Sequence, residues 1–378
     1  MKLGFASTLV MAALVVSVGA VSSSAEARPA SEKIKVLVPD RENLQYMSFW
    51  VAKSAGYFQD EGIDVELVSP PAPQQTATFF EEHAADVAVL PPPVYVGLIA
   101  NKRPVVLVAN LLTNDPIELI VRRSVLAARG VGPEVPVKAR LEGLRGIKLG
   151  VAPHPPTRLR ALFASQGLDA DKDVTMTILH GKEQNAALRS GQVDALYAHT
   201  PYLERAIVHD DAVVLVDQAR GEIPELAHRQ IHTLAVQRSL LENRRELVVS
   251  MVRAIALAQT LIHRAPAEAV SALAREMPDR DRRELETIVK LYEPAIPKTP
   301  AVRADDIPPS LTFFPAGQAK PDLSGIDLGA HVAPDLLAVE PPHKARAWVI
   351  VFSAIFLAVA VAVAMSARKR VEAPSAES

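Results

Sequence analysis

At 378 residues the chain is long enough for one large or two ordinary domains, and 49% hydrophobic with 22% charged residues is the balance of a folded protein. Lys and Arg number 41 against 43 Asp and Glu, a formal charge of -2 that points to no nucleic-acid partner. The cysteine count of 0 excludes disulfides, thiolate metal sites, cysteine nucleophiles and a lipid-bearing cysteine near the N-terminus.

The chain opens with Met1-Lys2, an apolar run from Leu9 to Val21 and then Ala25-Glu26-Ala27. A positive start, a short apolar stretch and an A-x-A site predict a signal peptide over residues 1–27, with a mature chain beginning near Arg28.

From residue 33 short apolar runs alternate with helical patterns. Ile34 to Val38 predicts a first strand, and Phe49 to Ala55 a helix that stops at Gly56, a residue suited to a left-handed cap. Ile63 to Val68 is the next strand, followed by a helix through Phe79-Phe80 and a strand at Val87–Leu90. The pattern restarts near Leu119, with strands at Ile147–Val151, Val174–Ile178 and Val193–Tyr197 and helices at Arg158–Ala164 and Asn185–Arg189 between them. Strands alternating with helices predict α/β layers. Two stretches echo each other: Phe79 to Pro91 and Ala187 to Tyr197 each run helix end, tight connection, Asp, buried strand. Two similar lobes would give this echo, and so would chance likeness between two such units. Asp86 and Asp194 read as structural residues at strand starts.

Ile231 to Val236 reads as a return strand. Glu246 to Ile262 is an amphipathic helix interrupted by Ser250, Arg253 and Gln259, so it does not read as a membrane span. Pro266–Met277 and Arg282–Tyr292 continue as surface helices. Prolines recur and periodicity vanishes over residues 301–343, which predicts an extended, stiff linker. Ala347 to Met365 is uncharged, and as a helix would be about 29 Å long, close to the hydrocarbon thickness. With Trp348 at one boundary and Arg368-Lys369-Arg370 at the other, residues 347–366 predict one C-terminal transmembrane helix. Residues 367–378 then form a cytoplasmic tail, and the folded part lies on the extracytoplasmic side of the inner membrane.

The segment Val51-Ala52-Lys53-Ser54-Ala55-Gly56-Tyr57-Phe58-Gln59-Asp60-Glu61-Gly62-Ile63-Asp64-Val65-Glu66-Leu67 resembles the start of SsuA/THI5-like (NMT1-type) substrate-binding proteins of ABC transporters. The resemblance continues through Asp86-Val87-Ala88, Leu144 to Val151 and Gly191 to Ala195, so it covers roughly residues 33 to 300. It implies a two-lobed periplasmic-binding-protein-like fold (type II) closing on a small ligand. Lobe 1 would comprise residues 33–116 and 238–300, and lobe 2 residues 117–237, with hinge crossings near Ile117–Arg122 and Thr233–Gln237. Such proteins pass sulfonates, taurine, nitrate or thiamine precursors to an ABC permease.

In this architecture ligands sit beyond the carboxyl ends of strands, at helix N-termini. That rule selects four loops: Asn43-Leu44-Gln45-Tyr46, Pro91 to Tyr95, His154 to Arg158, and His199 to Tyr202 after the strand ending at Tyr197. The expected ligand contacts are Asn43, Gln45, Tyr46, Tyr95, Thr157, Arg158, Tyr197, His199 and Tyr202. For each tyrosine a place on the core rim is about as plausible as ligand contact, and Thr157 also reads as a plain helix cap. Pro91 to Pro93 and Pro155-Pro156 depart from the small polar residues usual in the family. Proline has no backbone N–H, so these loops lose anion-cradling capacity, and the chain leans towards a neutral or aromatic ligand stacked between tyrosines, or towards a lineage that has lost tight transport binding.

No G-x-S-x-G, H-E-x-x-H, P-loop or G-x-G-x-x-G motif occurs. His228 and His232 read as surface residues. The pyrimidine-synthesising branch of the broad family uses a Cys-rich iron site that this chain lacks. No enzymatic activity, cofactor or metal is therefore expected. The expected partners are a small-molecule ligand, an ABC permease or other membrane partner, and the membrane through the C-terminal helix. The alternative function is a tethered ligand sensor or accessory subunit without transport.

Overall fold

A computed structural model describes residues 31–153, 156–314 and 319–338. The predicted signal peptide, His154-Pro155 and the predicted transmembrane helix lie outside the described residues. In chain order the strands are β1 (Glu32–Leu37), β2 (Ile63–Val68), β3 (Val87–Leu90), β4 (Val105–Leu112), β5 (Ile117–Arg122), β6 (Lys148–Val151), β7 (Thr175–Ile178), β8 (Ala195–His199), β9 (Ala212–Val216) and β10 (His232–Gln237).

Two five-stranded sheets result, in the orders β2-β1-β3-β10-β4 and β7-β6-β8-β5-β9. The orders are the same pattern. In each, two parallel pairings join the first three strands, and a strand from the crossover region, β10 or β5, runs antiparallel to both its neighbours. The central strand β3 and the edge strand β4 are both buried throughout, as apolar strands covered on both faces must be. The sequence reading names neither β4 nor β9, which hold matching places beside the antiparallel strand.

The aspartates at the echo do one job twice. Asp86 accepts a hydrogen bond from the Lys35 backbone N–H at 3.0 Å, and Asp194 accepts one from the Lys148 N–H at 3.0 Å. Each thereby ties the start of a third strand to the first, and the adjacent backbone bonds Asp86 N to Lys35 O and Asp194 N to Lys148 O repeat too. Asp194 also pairs with Arg122 at 2.8 Å.

Gly56 ends the helix Met47–Ser54 with φ of 85°, a left-handed conformation that disfavours any side chain. The Trp50 indole on that helix donates to Asn43 O at 3.0 Å, fixing the loop after β1. The helix Arg245–Arg264 is long and apolar enough to cross a membrane by composition, yet half of it is buried in the protein. Its Arg253 reaches Glu61 at 2.6 Å, and Met251, Ala254 and Ala258 pack in the core, so it is a core helix of the first lobe.

The lobes join through residues 113–116 and 217–231, which precede the strands named as crossings: β5 and β10 lie inside their sheets, held by ladders on both edges. The two links run side by side, with Arg229 N bonded to Thr113 O and His228 N to the Asn114 side chain. Because β10 belongs to the first sheet, the second lobe closes at residue 231.

The expected proline-rich linker instead packs on the first lobe over its described part. Val302 and Ile307 are fully buried, Val332 forms a parallel bridge with Leu107, and the His331 imidazole bonds to Val105 O at 2.8 Å. The helices Pro266–Glu276 and Arg282–Tyr292 are likewise only half on the surface, with Ala269, Leu273, Leu285, Ile288 and Tyr292 buried.

Candidate functional site

A buried polar seam runs where the carboxyl ends of the two sheets meet. From the first lobe, Asn43 Oδ1 accepts from Gln45 N at 2.8 Å and orients the short turn Leu44–Tyr46. The Gln45 amide oxygen then accepts from His232 Nε2 at 2.8 Å, and Tyr46 stands edge-on to the same imidazole with ring centroids 4.9 Å apart. All four residues are buried.

From the second lobe, Arg158 in the first turn of the helix Pro156–Ser165 pairs with Asp115 of the crossover at 2.8 Å. Asp115 is itself buried, and burial raises its pKa against the opposing pull of Arg158. The Tyr197 ring fills the second lobe's core, and its hydroxyl accepts from Gln218 Nε2 at 3.0 Å. Gln218 and Ala219 donate their backbone N–H groups to Glu118 at 2.7 and 3.0 Å. Burial still pushes the Glu118 carboxyl well above its usual range, with nearby Asp217 adding to the effect.

The two halves feel each other across the interface. His232 is held neutral, its pKa lowered from 6.5 to about 3, first by burial and then by the positive charge of Arg158 and by His199 on the opposite lobe. The His199 ring bonds to Thr200 O at 2.6 Å and packs edge-on against Tyr202, with centroids 5.6 Å apart. Tyr202 is half-buried at the mouth, where burial and then Asp40 and Glu42 of the first lobe raise its pKa.

Of the nine expected contacts, Asn43, Gln45, Tyr46, Arg158, Tyr197 and His199 converge on this seam, Thr157 neighbours Arg158 in the same turn, and Tyr202 borders the mouth. Tyr95 does not join them. It is buried on the far side of the first sheet, its hydroxyl bonded to Gln230 O and Ser310 at 2.7 Å, because its position in the helix Pro92–Ala100 faces the packed segment after residue 300. His232 is a correction of the opposite kind, being buried at the centre, whereas His228 is exposed. Asp115, Gln218 and His232 were missed. Only Asp115 carried a signal, the Asp-Pro pair between two apolar runs.

Lys182, Arg189, Arg205 and Arg280 line a cavity of about 300 Å³ beside Tyr202. Among the described residues no group of three His, Asp or Glu side chains could hold a metal ion.

Two sheets of one pattern, a double crossover and a buried polar seam between them define a two-lobed, periplasmic-binding-protein-like fold. Residues 32–275 match the NMT1-like family, and the chain belongs to that family. A candidate thiamine biosynthesis protein of Haemophilus influenzae is 26% identical over 170 residues, which are 44% of this chain and 50% of the relative. The chain thus matches half the length of that curated relative. Among solved structures, the periplasmic aliphatic sulphonate-binding protein SsuA of Escherichia coli aligns with a TM-score of 0.56 and 16% identity over 82% of this chain and 99% of its own. The periplasmic nitrate-binding protein NrtA of Synechocystis PCC 6803 gives 0.57 and 13% over 84% and 91%. The desulfurization enzyme DSZB gives 0.55 and 16% over 81% and 98%, so the fold carries binding and catalysis alike.

Proposed function

We propose that this chain is an extracytoplasmic solute-binding protein that captures a small organic ligand between its lobes and delivers it to an ABC permease. The observation that carries the reading is the seam itself. Polar side chains from both lobes gather at the ends of a paired crossover: Gln45, His232 and Asp115 are buried, Gln45 bonded to His232 and Asp115 paired with the part-buried Arg158. Buried polar groups are costly unless they serve a purpose, and two lobes joined by two short links can open to admit a solute there. Family membership and the binding-protein neighbours support the same reading. Tethering to the inner membrane by residues 347–366, with the lobes outside, completes it.

The chain has no cysteine, and in the seam the His232 imidazole is held by Gln45. The test is a thermal-shift screen of the chain against sulfonates, nitrate, pyrimidines and small aromatic acids and amides. A ligand of the folded state must raise the melting temperature by mass action. A saturable rise with one class supports solute capture. A cooperative melt that no compound moves tells against it.

A further inference from the structure

The seam presents more than paired groups. Gln45 Nε2, His232 Nδ1 and Gln218 Oε1 are buried polar atoms with no hydrogen-bond partner. Gln45 is 6% exposed, His232 4% and Gln218 3%, so leaving these atoms unpaired is costly. Their chemistry is readable. Gln45 Oε1 accepts from His232 Nε2, which leaves the Gln45 NH2 as a donor and His232 Nδ1 as an acceptor. Gln218 spends both its N–H bonds on Ile117 O and Tyr197, which leaves its carbonyl as an acceptor.

The cation of the seam is already met by a carboxylate. Arg158 is met by Asp115 at 2.8 Å, with the Asp115 side chain 2% exposed and that of Arg158 16%. The imidazole of His232 carries no proton to spare, being buried beside that arginine. An anion placed here would face the Asp115 carboxylate without an uncommitted cation, and would lose its hydration for nothing. Outside the seam, Arg189, Arg205 and Arg280 line the cavity beside Tyr202, where they too are paired, with Asp210 and Glu284. Each lobe also contributes a crossed aromatic pair, Tyr46 with His232 and His199 with Tyr202, whose rings suit a flat guest.

We infer that the interlobe site takes an uncharged, flat solute bearing an amide-type edge, one N–H donor beside one oxygen acceptor, and that Asp115 sets this preference by cancelling Arg158. The donor meets His232 Nδ1 or the Gln218 carbonyl, and the acceptor meets the Gln45 NH2. A site built to hydrogen-bond a guest rejects an analogue that leaves those groups unpaired far more strongly than an apolar pocket rejects a change of shape.

This inference rests on the solute-binding reading, and matched pairs separate the two. Calorimetric titration of the full-length protein uses benzamide against benzoate, nicotinamide against nicotinate, and benzenesulfonamide against benzenesulfonate at pH 7.5. Within at least one pair the uncharged member is expected to bind one-to-one, tighter than its charged partner by roughly tenfold or more. Asp115→Asn, which uncovers Arg158, is expected to shift that ratio towards the charged member by about tenfold, where a merely structural Asp115 would weaken both alike. Gln45→Ala, a milder change, is expected to weaken the uncharged member alone. Charged members that bind as tightly as their partners would overturn the inference and leave solute binding standing. If no member of any pair binds, both fall.

Discussion

Glu204 sits in the helix Leu203–His209, fully buried where that helix meets Arg282–Tyr292, with Thr200 and Tyr292 beside its carboxyl as weak hydrogen-bond partners. Burial raises its pKa from 4.5 to about 7. The folded protein therefore holds a proton between those values that the unfolded chain has released. The stabilisation is complete below pH 4.5 and is lost as pH rises through 7. Glu204→Gln keeps the shape and removes the titration, so its stability advantage over the parent should be small at pH 4.5 and reach roughly 3 kcal/mol at pH 8. Urea unfolding at the two values reads the difference; equal gaps at both would refute it. His232 acts with the opposite sign. Its folded pKa of about 3 lies below the ordinary 6.5, so its contribution is present above pH 6.5 and lost as pH falls towards 3. Tyr95→Phe tests a different placement. It removes the hydroxyl shared by Gln230 O and Ser310, and should cost about 1 kcal/mol while leaving ligand affinity unchanged, since the ring lies behind the sheet. An affinity loss without a stability loss would return Tyr95 to the site.

At the scale of elements, the echo between the lobes has a physical content that can be probed. Asp86→Ala frees one strand-edge N–H that water can partly reach, a cost of about 1 kcal/mol. Asp194→Ala frees the equivalent N–H and also leaves Arg122 without its carboxylate, so it should destabilise more. Equal costs, measured by thermal unfolding of each variant, would mean that the Arg122 pair contributes nothing. This device was legible because an Asp before an apolar run, repeated after a similar helix, is a pattern in the chain itself. β1, β2 and β3 were legible for the same reason, each lying in a strand–helix alternation closed by Gly or Pro. β4 and β9 were not. Val105–Leu112 is apolar on both faces and so shows no alternation, and it passes into the crossover without a helix. Ala212–Val216 is short and enters the second link directly. The site was half legible. A rule about strand ends reaches Asn43, Gln45, Tyr46, Arg158 and His199. It cannot reach His232, which begins an antiparallel strand, and it missed Gln218 because β9, whose carboxyl end Gln218 follows, went unrecognised.

For the molecule as a whole, the segment after residue 300 determines what must be kept for the lobes to stand. Its proline-rich sequence read as a spacer because short 3-10 turns carry neither helical nor strand periodicity. The buried residues among them are irregularly placed, yet they cover one side of the first sheet. Val302, Ile307 and Phe314 join Tyr95, Leu107 and Ile99 in a single cluster. The same segment reaches the crossover. Arg303 N and Ser310 bond to Gln230, Arg229 bonds to Pro309 O at 3.3 Å, and the turn Pro308–Phe313 touches the helix Pro156–Ser165 of the second lobe. It is therefore a strap over the first lobe that also contacts the moving parts. Removing it would expose several apolar side chains, each worth about 1.5–3 kcal/mol of burial, and would strip Tyr95 of one partner. A chain ending at residue 300 should melt lower than one ending at 338 by on the order of 10 °C, or fail to melt cooperatively. Calorimetry of the two decides it. Equal melting would mean that the segment rests on the lobe without supporting it. A large drop would mean that the segment is an integral part of the first lobe's core.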